Sequence, residues 1–149
     1  MEEIKTYGEY NDLNLRVLIS LSRCFQSVRK RETEVIREGG LTIAQFAVLE
    51  ILYHKGDLRI GDIIEKTLAT GGNMTVVINN LEKEDLVSKY SDPDDGRASL
   101  ISITDKGKRL IEKIFPSHIE NISEIFIVLS KDEKSKLIEL LKKVGGVEI

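Results

Sequence analysis

The 149-residue sequence predicts a mainly α fold with a small β-hairpin wing. Three observations point there. Most of the chain carries apolar residues at helical spacing, one stretch around residues 87–103 holds two β-rich runs about a charged turn, and the helix before that stretch enters it without a linker. A helix running directly into a projecting hairpin is the winged helix-turn-helix arrangement. The expected layout is one domain over 1–149, with a head at about 41–103 between helices at about 11–38 and 104–145.

Residues Asn11 to about Arg37 read as one long helix, with Leu13, Val17, Leu21, Cys24 and Val28 at helical spacing and Leu18 and Phe25 beside them. Gly39-Gly40 ends it. The run Arg29-Lys30-Arg31-Glu32 reads as a solvated face near the C-terminus. Cys24 lies on the apolar stripe, where a buried thiol is inert, so a core role is expected.

Thr42 and Gln45 form a capping box, and the helix they open keeps Leu41, Gln45, Val48, Leu49 and Leu52 in spacing until Lys55-Gly56-Asp57. A shorter helix at about Arg59 to Lys66 carries Ile60, Ile63 and Ile64. The next helix places Met74, Val77, Ile78 and Leu81 on one apolar stripe, with Thr70 as its candidate N-cap. Its other face holds Gly72, Asn73, Thr75, Val76, Asn79 and Asn80. No charged side chain occurs from Gly71 to Leu81, although 32% of the chain is charged. An uncharged, amide-bearing face suits the floor of a DNA major groove, where Asn bonds adenine bidentately and a valine methyl meets that of thymine. Gly71 and Gly72 would admit a phosphate backbone to the helix N-terminus.

Val87 to Tyr90 and Ala98 to Ile103 form the hairpin, joined by Asp92-Pro93-Asp94-Asp95-Gly96-Arg97. Gly96 can supply a positive φ in this turn. Thr104 then caps a helix carrying Ile111, Ile114, Ile122, Ile125 and Phe126, which Pro116 should bend or interrupt. Ser130 to Glu133 is a second capping box, opening a last helix with Leu137, Leu140, Leu141 and Val144 that stops at Gly145-Gly146.

The segment L-x-x-x-D-I-I-E-K-T-x-x-T-x-x-N-M-T-V-V-I-N-N-L-E-K-E-D-L-V-x-x-x-x-D-P-D-D-G-R-x-x-x-I-x-I-T-x-x-G, from Leu58 to Gly107, resembles the MarR family of bacterial transcription regulators in residue types and spacing. Its D-P-x-D-x-R wing is the most specific part, and L-T-x-x-Q-x-x-V-L from Leu41 is also similar. The resemblance implies a homodimer intertwined through the N-terminal and last two helices, with two heads on the half-sites of a pseudo-palindrome. It implies that Arg97 enters the minor groove, buttressed by Asp95, with Lys89 nearby on the wing. This chain departs from the commoner family pattern in having Val76 and Asn80 where arginine is usual. That hints at an A·T-rich operator, whose narrow minor groove would attract Arg97.

Composition limits other functions. Net charge is −3, and residues 55–109 hold nine Lys/Arg against ten Asp/Glu, so weak non-specific affinity with strong salt dependence is expected, resting on cations such as Arg59, Lys66, Lys83, Lys89 and Arg97. One cysteine excludes an internal disulfide, and His54 and His118 form no clustered ligand set, so no metal or cofactor is expected. No nucleophile–base pairing or phosphate loop suggests an enzyme. The acidic N-terminus lacks a signal-peptide pattern and no apolar run would span a membrane, so cytoplasmic is the default. A small-molecule effector held between dimer helices and head would complete a dimeric repressor. Two rivals stand beside this reading. One is a winged-helix protein-interaction module without DNA binding, suggested by the acidic balance. The other is a thiol-based redox sensor acting through Cys24.

Overall fold

The computed structural model describes residues 5–67 and 73–146. Helix α1 runs over Glu9–Glu38, α2 over Ile43–Lys55 and α3 over Ile60–Thr67, with a two-residue strand β1, Leu58–Arg59, between the last two. Helix α4 follows at Met74–Lys83, then strands β2 (Val87–Ser91) and β3 (Ser99–Ile103), and helices α5 (Asp105–Phe126) and α6 (Lys131–Gly145). The predicted hairpin is therefore two strands of a three-stranded antiparallel sheet ordered β1-β3-β2. Leu58 pairs with Ile101 on one side of β3, and Lys89 pairs with Ile101 on the other. Strand β1 escapes sequence reading because two residues carry no period.

Local capping follows the sequence closely. Thr42 Oγ1 accepts from the Gln45 N–H at 3.1 Å while Gln45 Oε1 accepts from the Thr42 N–H at 3.0 Å. Ser130 and Glu133 make the same reciprocal pair. Thr104 Oγ1 accepts from the Gly107 N–H at 3.1 Å and opens α5. Gly56, at φ 84°, and Gly146, at φ 63°, close α2 and α6 in conformations that L side chains avoid.

The core lies in the head. Phe46, Val48, Leu49 and Leu52 of α2, Ile63 of α3, Met74, Ile78 and Leu81 of α4 and Ile101 of β3 are buried together, and Ile36 of α1 with Ile111 and Ile114 of α5 joins the flanking helices to them. Asn121 on α5 also donates to the Arg31 carbonyl of α1 at 3.2 Å.

Four expectations are corrected. Helix α4 starts later than the Thr70 cap implied: Asn73 is its N-cap residue, without a side-chain cap bond, and Thr70, Gly71 and Gly72 lie outside the described residues. Gly96 does not take a positive φ; carboxylates, described below, hold the turn instead. Pro116 does not interrupt α5, because Ile111, Ile114 and His118 anchor both sides of it in the core. Cys24 is exposed, not buried. Only Ile36 of α1 is buried, and the upstream stripe is largely exposed, with Leu18 and Phe25 each 59% accessible and only the Arg29 guanidinium, 5.2 Å from the ring centroid, recorded over Phe25.

Candidate nucleic-acid interface

Met74, Ile78 and Leu81 pin α4 to the core and so decide which face it shows. Asn73, Thr75, Val76 and Asn80 are exposed, with Val76 at 52%. Val76 and Asn80 are one helical turn apart and share a surface. An exposed valine among amides, with no charged side chain on α4 before Glu82 and Lys83, makes a surface that reads methyl groups and hydrogen-bonding edges better than it attracts phosphate.

Asn79 differs from these. It is half-buried, and its Oδ1 accepts a hydrogen bond from Lys89 Nζ of β2. Lys89 also lies 3.7 Å from the Glu82 carboxylate. The strand leading into the wing is thus tied to the candidate reading helix through a side chain that sequence reading assigned to DNA.

The wing is closed at its base by the Asp92 N–H donating to the Ala98 carbonyl at 3.0 Å. Asp92 is only 6% accessible. Its Oδ1 accepts from the Asp94 N–H at 2.9 Å and its Oδ2 from Arg59 Nε at 2.7 Å. The Asp94 N–H above all, and then the Arg59 guanidinium, hold the Asp92 carboxyl below the usual carboxylate range, and Asp92 in turn raises the Arg59 pKa. Next to this pair the Tyr90 hydroxyl donates to the Asp57 carboxylate, which raises the tyrosine's pKa. Both ties hold the wing to the segment around β1.

Asp95 Oδ1 accepts from the Arg97 N–H at 3.1 Å, and the Ala98 N–H donates to the Asp95 carbonyl at 2.9 Å. The buttress implied for Asp95 therefore acts on the backbone of Arg97. The guanidinium, at the exposed tip, makes no ion pair among the described residues. Of the five cations singled out from the sequence, Arg59 and Lys89 are neutralised by Asp92 and Glu82, while Lys66, Lys83 and Arg97 have no such partner among the described residues. Because Asp92 is buried and paired with Arg59, it would repel an approaching phosphate less than the exposed Asp94 and Asp95.

A cleft of about 420 Å³ lies between the long helices and the head, bounded by Arg29 and Glu32 of α1, Glu50, Ile51 and His54 of α2, Lys66 of α3 and Phe115 of α5. Sequence spacing could not assemble it, since its walls come from four helices. His54 and His118 do converge on the Phe115 ring, at 5.3 and 5.9 Å, but as an aromatic cluster with Phe46. Among the described residues no cluster of three or more metal-ligating side chains occurs. No described helix is long and apolar enough to cross a membrane.

Residues 41–99 match the MarR family model, a span from the start of the head through the wing turn to the first residue of β3. The transcriptional regulator MhqR of Bacillus subtilis is 39% identical over 132 residues, spanning 89% of this chain and 91% of that relative. The chain belongs to the MarR family. YkoM, an uncharacterised transcriptional regulator of the same organism, is also 39% identical, over 83% of this chain and 80% of its own. Among solved structures, Bordetella bronchiseptica BpsR, whose DNA binding is regulated by 6-hydroxynicotinic acid, superposes with TM-score 0.78 at 28% identity, covering 87% of this chain and 98% of that one. Streptomyces coelicolor Sco3205, a MarR-family regulator solved in complex with DNA, gives TM-score 0.81 at 18% identity over 97% of this chain and 91% of that one, a likeness of fold. The chain is a MarR-family DNA-binding transcription regulator. These comparisons do not support the protein-interaction module or the redox sensor.

Proposed function

We propose that this MarR-family chain is a cytoplasmic, non-enzymatic dimeric repressor that reads a pseudo-palindromic, A·T-rich operator and is released by a small amphipathic effector. The observation that carries the reading is the exposed face of α4, uncharged from Met74 to Leu81, together with a wing-tip arginine that has no ion-pair partner among the described residues. Thr75, Val76 and Asn80 would face base edges, Asn73 and Gly72 the approaching backbone, and Arg97, set by Asp95, the minor groove. Asn79 and Lys89 belong to the same surface.

Dimerisation is supported by two apolar surfaces outside the core. One is the α1 stripe of Leu13, Val17, Leu18, Leu21 and Phe25. The other is an open groove of about 430 Å³ between α5 and α6, lined by Ile122, Phe126, Leu137 and Leu141. Exposed apolar area of this extent is better buried against a second subunit. The two reading helices would then face half-sites about one turn of DNA apart. The effector is assigned to the cleft between helices and head, where Ile51 and Phe115 offer an apolar wall and Arg29 and Lys66 offer charge. A ligand there that favours one head spacing by a few kcal/mol would shift operator occupancy.

Selection of bound duplexes from a random pool tests this, repeated with Arg97→Ala and Asn80→Ala. An A·T-rich inverted repeat, bound less tightly by both variants, is expected. Absence of any enrichment at low salt would overturn the reading.

A further inference from the structure

The contact between Lys89 and Asn79 changes what Asn79 can read. An asparagine distinguishes adenine in the major groove by using both ends of its amide, accepting from N6 and donating to N7. An ammonium has only donors, so the atom facing Lys89 must be the oxygen, which also fixes the amide orientation. The oxygen keeps a second lone pair, but a donor there meets the ammonium charge and is weakened. The Asn79 NH₂, which serves the N7 of either purine and does not separate adenine from guanine, therefore carries the larger part of the contact. Glu82, 3.7 Å from Lys89, holds the ammonium and offsets its charge, so Lys89 is drawn away from phosphate as well.

We propose that Lys89 is a positioning residue that sets specificity through Asn79, turning it from an adenine reader into a donor that accepts either purine, and that Glu82 maintains the arrangement. The inference rests on the DNA-reading role of α4. Lys89, expected on the wing as a DNA contact, acts here on base choice through its bond to Asn79. Val76 and Asn80, both exposed and without such a tie, then carry the stricter discrimination.

The probe is the duplex recovered by wild-type selection, together with all its single-base-pair variants, bound to the full-length protein. Wild type should bind adenine and guanine opposite Asn79 within about 3-fold of each other, while Lys89→Met should prefer adenine there by roughly 5- to 150-fold, the range of a good bidentate pair. Asn79→Ala with Lys89→Met should match Asn79→Ala alone, and Lys89→Arg should restore the wild-type tolerance. Glu82→Gln, a change on an exposed helix face, should steepen the salt dependence by releasing a cation and, by loosening Lys89 from Asn79, should shift the purine preference toward adenine part of the way that Lys89→Met does. The proposal is overturned if Lys89→Met weakens every duplex equally and lowers the salt slope by about 1, additively with Asn79→Ala, since that is a phosphate contact. It is also overturned if Lys89→Met leaves base preference unchanged. Failure of the wild type to enrich any duplex would instead remove the DNA-reading role of α4 on which the inference stands.

Discussion

The carbonyl oxygen of Leu86 occupies the space that a side chain on Gly107 would need. Ile103 Cγ1 closes the same space, 2.8 Å from where a Cβ would be built. Glycine here lets the first turn of α5 sit directly on the turn leaving α4, and that seat is tightened by the Thr104 N–H donating to the Leu86 carbonyl at 3.1 Å and Thr104 Oγ1 donating to the Asp85 carbonyl at 2.6 Å. Alanine at a helical position normally gains about 1 kcal/mol over glycine. At Gly107 the clash with backbone should reverse that sign, and Gly107→Ala should lose roughly 1–3 kcal/mol in denaturant unfolding.

Asp85 presents the opposite case. It ends α4 with φ 59°, the left-handed region, and the Leu86 N–H behind it donates to the Leu81 carbonyl at 2.9 Å, the six-residue closure of a Schellman motif. An L side chain there is strained by about 1–2 kcal/mol, and a carboxylate also opposes the negative end of the helix dipole. Asp85→Gly should stabilise the protein by about 1 kcal/mol after the entropy of glycine is deducted, raising Tm by roughly 2–4 °C for a chain of this size. An unchanged or lower Tm would show that Asp85 is held by a contact that outweighs the strain.

What was legible in the sequence follows from what is local. Thr42 with Gln45, Thr104, and Ser130 with Glu133 are contacts within one turn, and each cap stands where its residues predicted. The stripe of Met74, Ile78 and Leu81 is equally local and fixed the outward face of α4 in advance. Cys24 was misread because spacing says that a stripe will be buried but not whether its cover comes from the same chain. The pairs Arg59–Asp92, Tyr90–Asp57 and Lys89–Asn79 join segments 10 to 33 residues apart. The first two depend on β1 being paired with β3, which no periodicity of a two-residue strand could announce, and the third on where β2 lies against α4.

Asp92 gives the fold a defined acid sensitivity. Its folded-state pKa lies below the ordinary value because the Asp94 N–H and Arg59 both favour the carboxylate. A depressed carboxyl stabilises the fold fully above its unfolded pKa, near 4, and the contribution is lost as pH falls through the lower folded value. Asp92→Asn keeps the size but cannot pair with Arg59 as an ion. The variant should therefore be less stable than wild type at pH 7, and the gap should narrow from about pH 4 downward. Urea midpoints at several pH values check this. A gap that stayed constant to pH 2 would mean that the ionised form of Asp92 contributes nothing.

Val76 tests how far the neutral face of α4 sets the salt response. Wild type lacks an arginine there, and two of its five candidate cations are neutralised by Asp92 and Glu82. Val76 is 52% accessible and outside the buried core, so Val76→Arg should fold with near-wild-type stability. A new guanidinium in the groove would release about one more counterion, steepening the plot of log affinity against log salt by about 0.9. Binding to unrelated duplex should then strengthen most at low salt. If position 76 meets a thymine methyl, the same change should also erase a preference of roughly 1–3 kcal/mol for that base. A steeper slope with base preference intact would place Val76 over the sugar-phosphate backbone. No change in either quantity would move the reading surface off this face of α4.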